Sequence, residues 1–314
     1  MKVVITGGAG FIGHNVALYF HSRGYNVAVI DSLERSSALA LARLKEAEIN
    51  VIKRDVGSDD ISDLVIDSDY VIHAAAYVSV EESFEKPDLY IRNNVISTLR
   101  VAHLCLKMGR PLIYLSSAAV YGEPIKLPIS ETHPTSPTSP YGLSKLFGEN
   151  IIELYSKYGL TSTILRLFNV YGPGQNEAYA GVVSKFIIEA LRNKKIIIYG
   201  DGEQTRDFIH VRDVARAIEL VIEKSAFNEK FNIGSGRPVS IAELAKLVKE
   251  IVCPNCKIIN RPPRVGDIRH SYADITKARK VLGFEPTVTL EDGVRELVEL
   301  LKAIDKTAPQ DKQN

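Results

Sequence analysis

An apolar run near the start of the chain, Val3-Val4-Ile5-Thr6, passes directly into Gly7-Gly8-Ala9-Gly10-Phe11-Ile12-Gly13 and then into a stretch with helical spacing. No other feature limits the fold so tightly. Glycine at 7 permits a tight turn, glycine at 10 lets the backbone approach a pyrophosphate, and glycine at 13 lets helix and strand pack closely. A phosphate lodged there faces a helix N-terminus, whose unpaired N–H groups and dipole favour negative charge. The next apolar run ends at Asp31, followed by Ser32. A carboxylate at the end of a second strand accepts a hydrogen bond from a ribose hydroxyl and repels a 2′-phosphate. Gly7, Gly10, Phe11, Ile12, Gly13, Asp31 and Ser32 therefore predict a dinucleotide site for NAD rather than NADP, a preference that only Arg35 tempers.

Short β-rich runs at 2–6, 26–30, 50–53, 70–73, 111–116 and 161–165 alternate with helical spacing at 11–23, 89–107 and 144–158. Several of the runs are apolar throughout, as strands covered on both faces should be. This rhythm predicts an α/β fold, a Rossmann-type doubly wound parallel sheet. Beyond residue 170 the text loosens into Gly, Pro and Asn-rich loops, with helices expected at 182–193, 211–224, 241–252 and 290–303. Ser240 and Glu243 stand at capping-box spacing before the third of these. The expected division is a dinucleotide-binding domain at 1–168 and a smaller mixed α/β substrate lobe made mainly from 169–305, with the chain allowed to re-enter the first domain. Residues 306–314 are polar and aperiodic, the composition of a disordered tail.

Thirty-nine basic residues face 38 acidic ones, a net charge of +1. That balance offers no field for nucleic acid or an anionic membrane, so the expected partner is a small molecule. The first apolar run is broken by glycine after five residues, too short for a signal peptide or a membrane span, and a cytoplasmic protein is expected. Cys253 and Cys256 form a CPNC without a second cysteine or histidine pair. A structural zinc site needs four ligands, so a turn carrying two thiols is the reading, ahead of a local disulfide or metal site, and no metal is expected.

The run at 111–116 continues through Ser116 and Ser117 into Ala118-Ala119-Val120-Tyr121-Gly122, and further on Tyr141-Gly142-Leu143-Ser144-Lys145 opens a helix. Four residues apart on a helix, Tyr141 and Lys145 share a face. A phenol with a pKa near ~10 is a poor base at neutral pH, and a neighbouring ammonium favours its phenolate. Ser117, at the carboxyl edge of the sheet, can pass a proton between a substrate hydroxyl and the tyrosine. A YxxxK spacing alone usually marks an exposed helical turn; behind a glycine loop and a sheet-edge serine it predicts a catalytic set.

TGGAGFIG, SSAAVYG, PYGLSK, RLFNVYGPGQ, YGDGEQTRDFIHVRDV, NIGSG and RVGDIRHSYADITKA, in this order, resemble the extended short-chain dehydrogenase/reductase family, and within it the UDP-glucose 4-epimerase branch. The match runs to about residue 300. The resemblance implies that Asp55 and Val56 meet the adenine, that Ala74, Ala75 and Ala76 after His73 line the dinucleotide cleft, and that Asn93, Ser116 and Phe168 lie by the cofactor with Tyr141 and Lys145. It assigns Ser79, Ser117, Tyr141, Asn169, Val182, Arg206, Arg264, Asp267 and Ser271 to a UDP-sugar. Two guanidiniums on a diphosphate make physical sense, because planar forks match phosphate oxygens bidentately. It also implies a homodimer packed through the helices at 89–107 and 144–158.

Dehydratases of the family carry an Asp-Glu pair directly after the serine or threonine, and its decarboxylases keep the Glu; here Ala118 and Ala119 occupy those places. Elimination is left without its acid and base. Epimerisation needs only Tyr141, Ser117 and NAD to oxidise the 4-hydroxyl, and a turn of the keto sugar before hydride returns. Leu167 and Val78 depart from the tyrosine and lysine of better-known epimerases. The implied activity is UDP-glucose/UDP-galactose 4-epimerisation. Alternatives are a 4-epimerase of UDP-glucuronate, a decarboxylase, a 4-reductase or an inactive NAD-binding regulator. In the branch, a bulky tyrosine at the position of Ser271 goes with rejection of N-acetylated sugars, so serine implies room for an acetamido group.

Overall fold

The computed structural model describes residues 1–263 and 268–307, with side chains through 304. Strands β1 Lys2–Thr6, β2 Asn26–Asp31, β3 Val51–Lys53, β4 Tyr70–His73, β5 Leu112–Ser117 and β6 Ser162–Leu167 lie in one sheet. Strands β7 Asn169–Tyr171, β8 Lys195–Tyr199 and β9 Thr205–His210 leave it, and β10 Glu229–Ile233 returns to pair with β6. The resulting seven-stranded order is β10-β6-β5-β4-β1-β2-β3, parallel throughout. This is a Rossmann-type sheet, and its strand order reverses between β1 and β4.

The connecting helices are α1 Phe11–Ser22, α2 Ala38–Glu46, α3 Ser62–Ile66, α4 Val80–Glu85, α5 Pro87–Tyr90, α6 Ser97–Met108 and α7 Pro140–Ser156. Alternate residues of β1 explain why its run is apolar throughout. Val3 and Ile5 face the core shared with Val16 and Phe20 of α1, while Val4 faces the opposite core with Val101 and Ala102 of α6. The helix expected at 89–107 is split: α5 runs into a π-turn at Ile91–Ile96 before α6 begins. π-turns concentrate at functional sites. Here the turn carries Asn93 and Asn94, and Asn94 holds the chain after β4 by accepting from the Tyr77 N–H at 2.8 Å and donating to Ser144 Oγ at 2.9 Å. α7 starts earlier than its apolar spacing predicts, because Pro140 fits the first turn and the Ser139 hydroxyl accepts from the Gly142 N–H at 3.0 Å. Tyr141 thereby sits in the first turn of the helix.

Past residue 170 come α8 Val182–Asn193, α9 Val211–Glu223, α10 Ile241–Val252, α11 Thr276–Leu282 and α12 Leu290–Thr307. The helix expected at 211–224 in the substrate lobe instead packs on the large sheet. Val214, Ile218 and Val221 of α9 join the core of Val16 and Phe20, and Tyr19 donates to Glu219 at 2.7 Å. The apolar stripe of α9 matches that of α1, and this long-range complementarity has no signature in a local window.

The second lobe gathers β7, β9, β11 Pro238–Ser240 and β13 His270–Ser271 into one small sheet and pairs β8 with β12 Lys257–Arg261. Phe186, Ile187, Ile198, Leu244, Val248 and Leu297 fill its core. Ser240 and Glu243 form the reciprocal capping box at the start of α10. Cys253 and Cys256 are buried free thiols in this core, and burial beside Cys253 pushes the Cys256 thiol up to about 11. Of the expected tail, 306 and 307 continue α12, and 308–314 lie outside the described residues. Among the described residues no helix is long and apolar enough to cross a membrane.

Candidate active site

Where parallel strand order reverses, the loops at the carboxyl ends of the two central strands diverge and leave a crevice. Between the loops after β1 and β4 the protein has a cavity of about 380 Å³. Its floor is the glycine loop. Gly7 has φ +67, and a Cβ there would stand 2.5 Å from the Ala75 backbone; one on Gly13 would overlap the Gly7 carbonyl oxygen. Gly10 caps α1 with no side-chain acceptor for the first N–H groups of the helix, which leaves them available to an anion.

Asp31 is nearly buried and accepts from the Ala9 N–H at 2.9 Å and the Leu33 N–H at 2.8 Å. Burial pushes its pKa up, and those backbone donors pull it down. Ser32, Asp55, Val56, Ala74, Ala75, Ala76 and Asn93 line the same cavity, as do Phe11 and Ile12. A side-chain-free cradle, an open helix N-terminus and a fixed carboxylate fit a dinucleotide. Behind the wall, His73 bonds Thr6 at 2.6 Å and Thr98 at 3.0 Å, and complete burial lowers it to about 3, so it stays neutral.

Ser116 and Ser117 end β5, and Ser117, Tyr141, Phe168, Asn169 and Val182 border the other end of the cavity. Burial pushes the Tyr141 phenol up, and the Ser117 hydroxyl beside it pulls it down. Lys145 differs from expectation. Its ammonium is buried behind the wall, donates to the Leu115 carbonyl at 2.8 Å and lies 4.9 Å above the Tyr114 ring. Burial lowers its pKa to about 7, against the opposing pull of Glu149. The hydroxyl that tunes Tyr141 is thus Ser117's, and the spacing alone misses the pull of the Leu115 carbonyl on Lys145. Glu149 anchors this corner: it accepts from Ser116 Oγ at 2.6 Å and from Arg166 at 2.6 Å, with the ion pair almost wholly buried.

Other predicted residues sit elsewhere. The Ser79 hydroxyl caps α4 by accepting from the Glu82 N–H at 3.1 Å, and Ser79 is not among the described residues lining the cavity. Arg206 on β9 and Ser271 on β13 are register partners outside that wall. Arg264 and Asp267 lie outside the described residues. Conversely, Arg35, Tyr77, Gln175, Tyr179 and Phe208 line the cavity without having been assigned to it. The Gly-Pro-Gly at 172–174 signalled a loop there, but not the side of the cleft it covers.

Residues 3–234 match the NAD dependent epimerase/dehydratase family. A putative UDP-glucose 4-epimerase of Methanocaldococcus jannaschii is 37% identical over 311 residues, 97% of this chain and 100% of that protein. The structure of a UDP-glucose 4-epimerase from Thermotoga maritima with UDP-glucose superposes with a TM-score of 0.90 at 37% identity, covering 97% of this chain and 99% of that one. A UDP-N-acetylglucosamine 4-epimerase from Methanobrevibacter ruminantium, in complex with UDP-N-acetylmuramic acid, gives a TM-score of 0.91 at 34% identity over 96% and 98% of the two chains. With its glycine cradle, its fixed Asp31 and its hydroxyl pair at the sheet edge, this chain belongs to the NAD-dependent epimerase/dehydratase family.

Proposed function

We propose that this protein is a UDP-hexose 4-epimerase that interconverts UDP-glucose and UDP-galactose. The observation that carries the reading is the Ser117–Tyr141 hydroxyl pair on the cavity wall, followed along the chain by Ala118 and Ala119 rather than by carboxylates. NAD, when bound, supplies reversible hydride acceptance. The chain's own groups handle the proton and the positioning. Tyr141 takes the proton of the sugar 4-hydroxyl, through or beside Ser117 Oγ, and gives it back when the opposite face of the sugar is presented. Lys145, one turn along α7 from Tyr141, is fixed by its bond to the Leu115 carbonyl. The sheet edge and α7, joined through Glu149, hold Ser117 and Tyr141 in register, so their orientation is settled before substrate arrives. Arg206, Arg264 and Asp267 are assigned to the diphosphate and ribose.

Incubation with UDP-glucose should yield UDP-galactose of unchanged mass. Loss of water from UDP-glucose, or of carbon dioxide from UDP-glucuronate, would replace this reading with dehydration or decarboxylation. The small Ser271 and the similarity to a UDP-N-acetylglucosamine 4-epimerase support acceptance of N-acetylated sugars as well. A second copy of the chain is assigned to the surface of α6 and α7. Leu99 on the first and Leu143, Phe147 and Leu154 on the second are exposed apolar side chains. Light scattering in solution should return twice the chain mass, and a monomer would end that assignment.

A further inference from the structure

Arg35 is the one group that tempers a preference for NAD, because an arginine just beyond the second strand is what accommodates a 2′-phosphate in NADP enzymes. It lines the same cavity as Asp31. Its guanidinium is nevertheless engaged at its outer fork and against two aromatic rings. Nη1 and Nη2 donate to the two carboxylate oxygens of Glu82, at 2.7 and 3.1 Å. The guanidinium carbon sits 3.5 Å over the Tyr77 ring and 4.7 Å from the Tyr179 ring. Glu82 is itself fixed: it accepts from the Tyr90 hydroxyl at 2.9 Å and from Lys86 at 3.3 Å, and its side chain is 15% exposed. Tyr77 is held in turn by a hydrogen bond to Glu34.

We infer that Glu82 is a cofactor-selectivity residue: by holding Arg35 in a bidentate pair between two tyrosine rings, it withholds the guanidinium from a 2′-phosphate and so excludes NADP. The physical case is competition for one fork. The Nη1 and Nη2 fork that meets the Glu82 carboxylate is the one a phosphate would take end-on, so the two anions compete for it. A phosphate would have to displace a partly buried carboxylate from its bidentate partner, leaving it with only Tyr90 and Lys86 beside a second negative charge, with Asp31 a third on the same wall. Selectivity then arises in two places, by repulsion at Asp31 and by sequestration at Glu82, which is how specificity against a close analogue is often built. The inference concerns cofactor choice and holds whichever sugar is turned over.

Dissociation constants for NAD and NADP, measured by titration calorimetry on the full chain, test it. Glu82→Gln keeps the shape and a hydrogen-bond acceptor for Tyr90 but removes the charge that holds Arg35. The ratio of the NADP constant to the NAD constant should fall by about tenfold, the scale of one hydrogen bond to a charged group. The double variant Arg35→Ala with Glu82→Gln should lose that gain. The ratio remains the measure even if a variant binds both cofactors more weakly. An unchanged ratio in Glu82→Gln overturns the proposal, and so does a gain that persists without Arg35.

Discussion

The two sides of the cleft are held by different means. On the cofactor side the geometry is set by backbone: Gly7 and Gly13 leave no space for a side chain, and Asp31 is pinned by two N–H groups. Across the cleft from the glycine loop, the loop at 172–181 is held by side chains that reach across from other elements. Asn15 donates to the Pro173 carbonyl at 2.8 Å, Ser37 to the Gly174 carbonyl at 3.2 Å, and Ser184 to Gln175 at 2.6 Å. A backbone-built wall admits one ligand shape and fails abruptly when altered. A wall built by side chains can change its preference one residue at a time.

The largest effect should come where the two sides meet. Tyr141→Phe is expected to lower turnover ~10²–10⁴-fold while NAD binding is kept, because it removes a proton-transfer group and nothing from the cradle. Steady-state rates alongside an NAD titration check it, and more than about a tenth of the wild-type rate would remove Tyr141 as the base. A matched pair of glycine substitutions tests the comparison directly. Gly13→Ala drives a Cβ into the Gly7 carbonyl and should cost ~1–3 kcal/mol in stability together with NAD affinity. Gly181→Ala meets only the Gln175 amide, at 3.8 Å, and should stay within about 0.5 kcal/mol. Equal losses in denaturant melts of the two would erase the distinction between the walls.

Ser271→Tyr tests the gate that the resemblance assigns to β13. The added ring should selectively remove conversion of UDP-N-acetylglucosamine, by roughly tenfold or more, the scale of ~1–3 kcal/mol of overpacking. Wild-type protein that epimerises UDP-glucose but shows no N-acetylated product would end that gate. The smallest effect is one of pH. Lys145 has its pKa lowered from 10.5 to about 7 by burial. Between those values the unfolded chain holds more protons than the folded one, so this group makes stability rise with pH across that window and adds no slope below it. The melting temperature of the ligand-free protein minus that of Lys145→Met should therefore increase from pH 7 toward pH 10. A flat difference would show that the folded lysine keeps its ordinary proton affinity.

What the sequence by itself determined is whatever depends on a few consecutive residues. The glycine loop, Asp31 at a strand end, Ser117 at a sheet edge and Tyr141 in a first helical turn follow from local backbone requirements that a short motif states in full. The six runs that build most of the large sheet were legible for the same reason, since burial on both faces makes several of them apolar throughout. Only the tertiary structure decided that α9 and β10 return to the first sheet, that Lys145 is drawn to the Leu115 carbonyl, and that Arg35 is clasped by Glu82 and two tyrosines. Each of those outcomes is a choice among partners distant in sequence, settled by which apolar faces and charged groups packing brings within a few ångströms, and no local window contains both members of the pair.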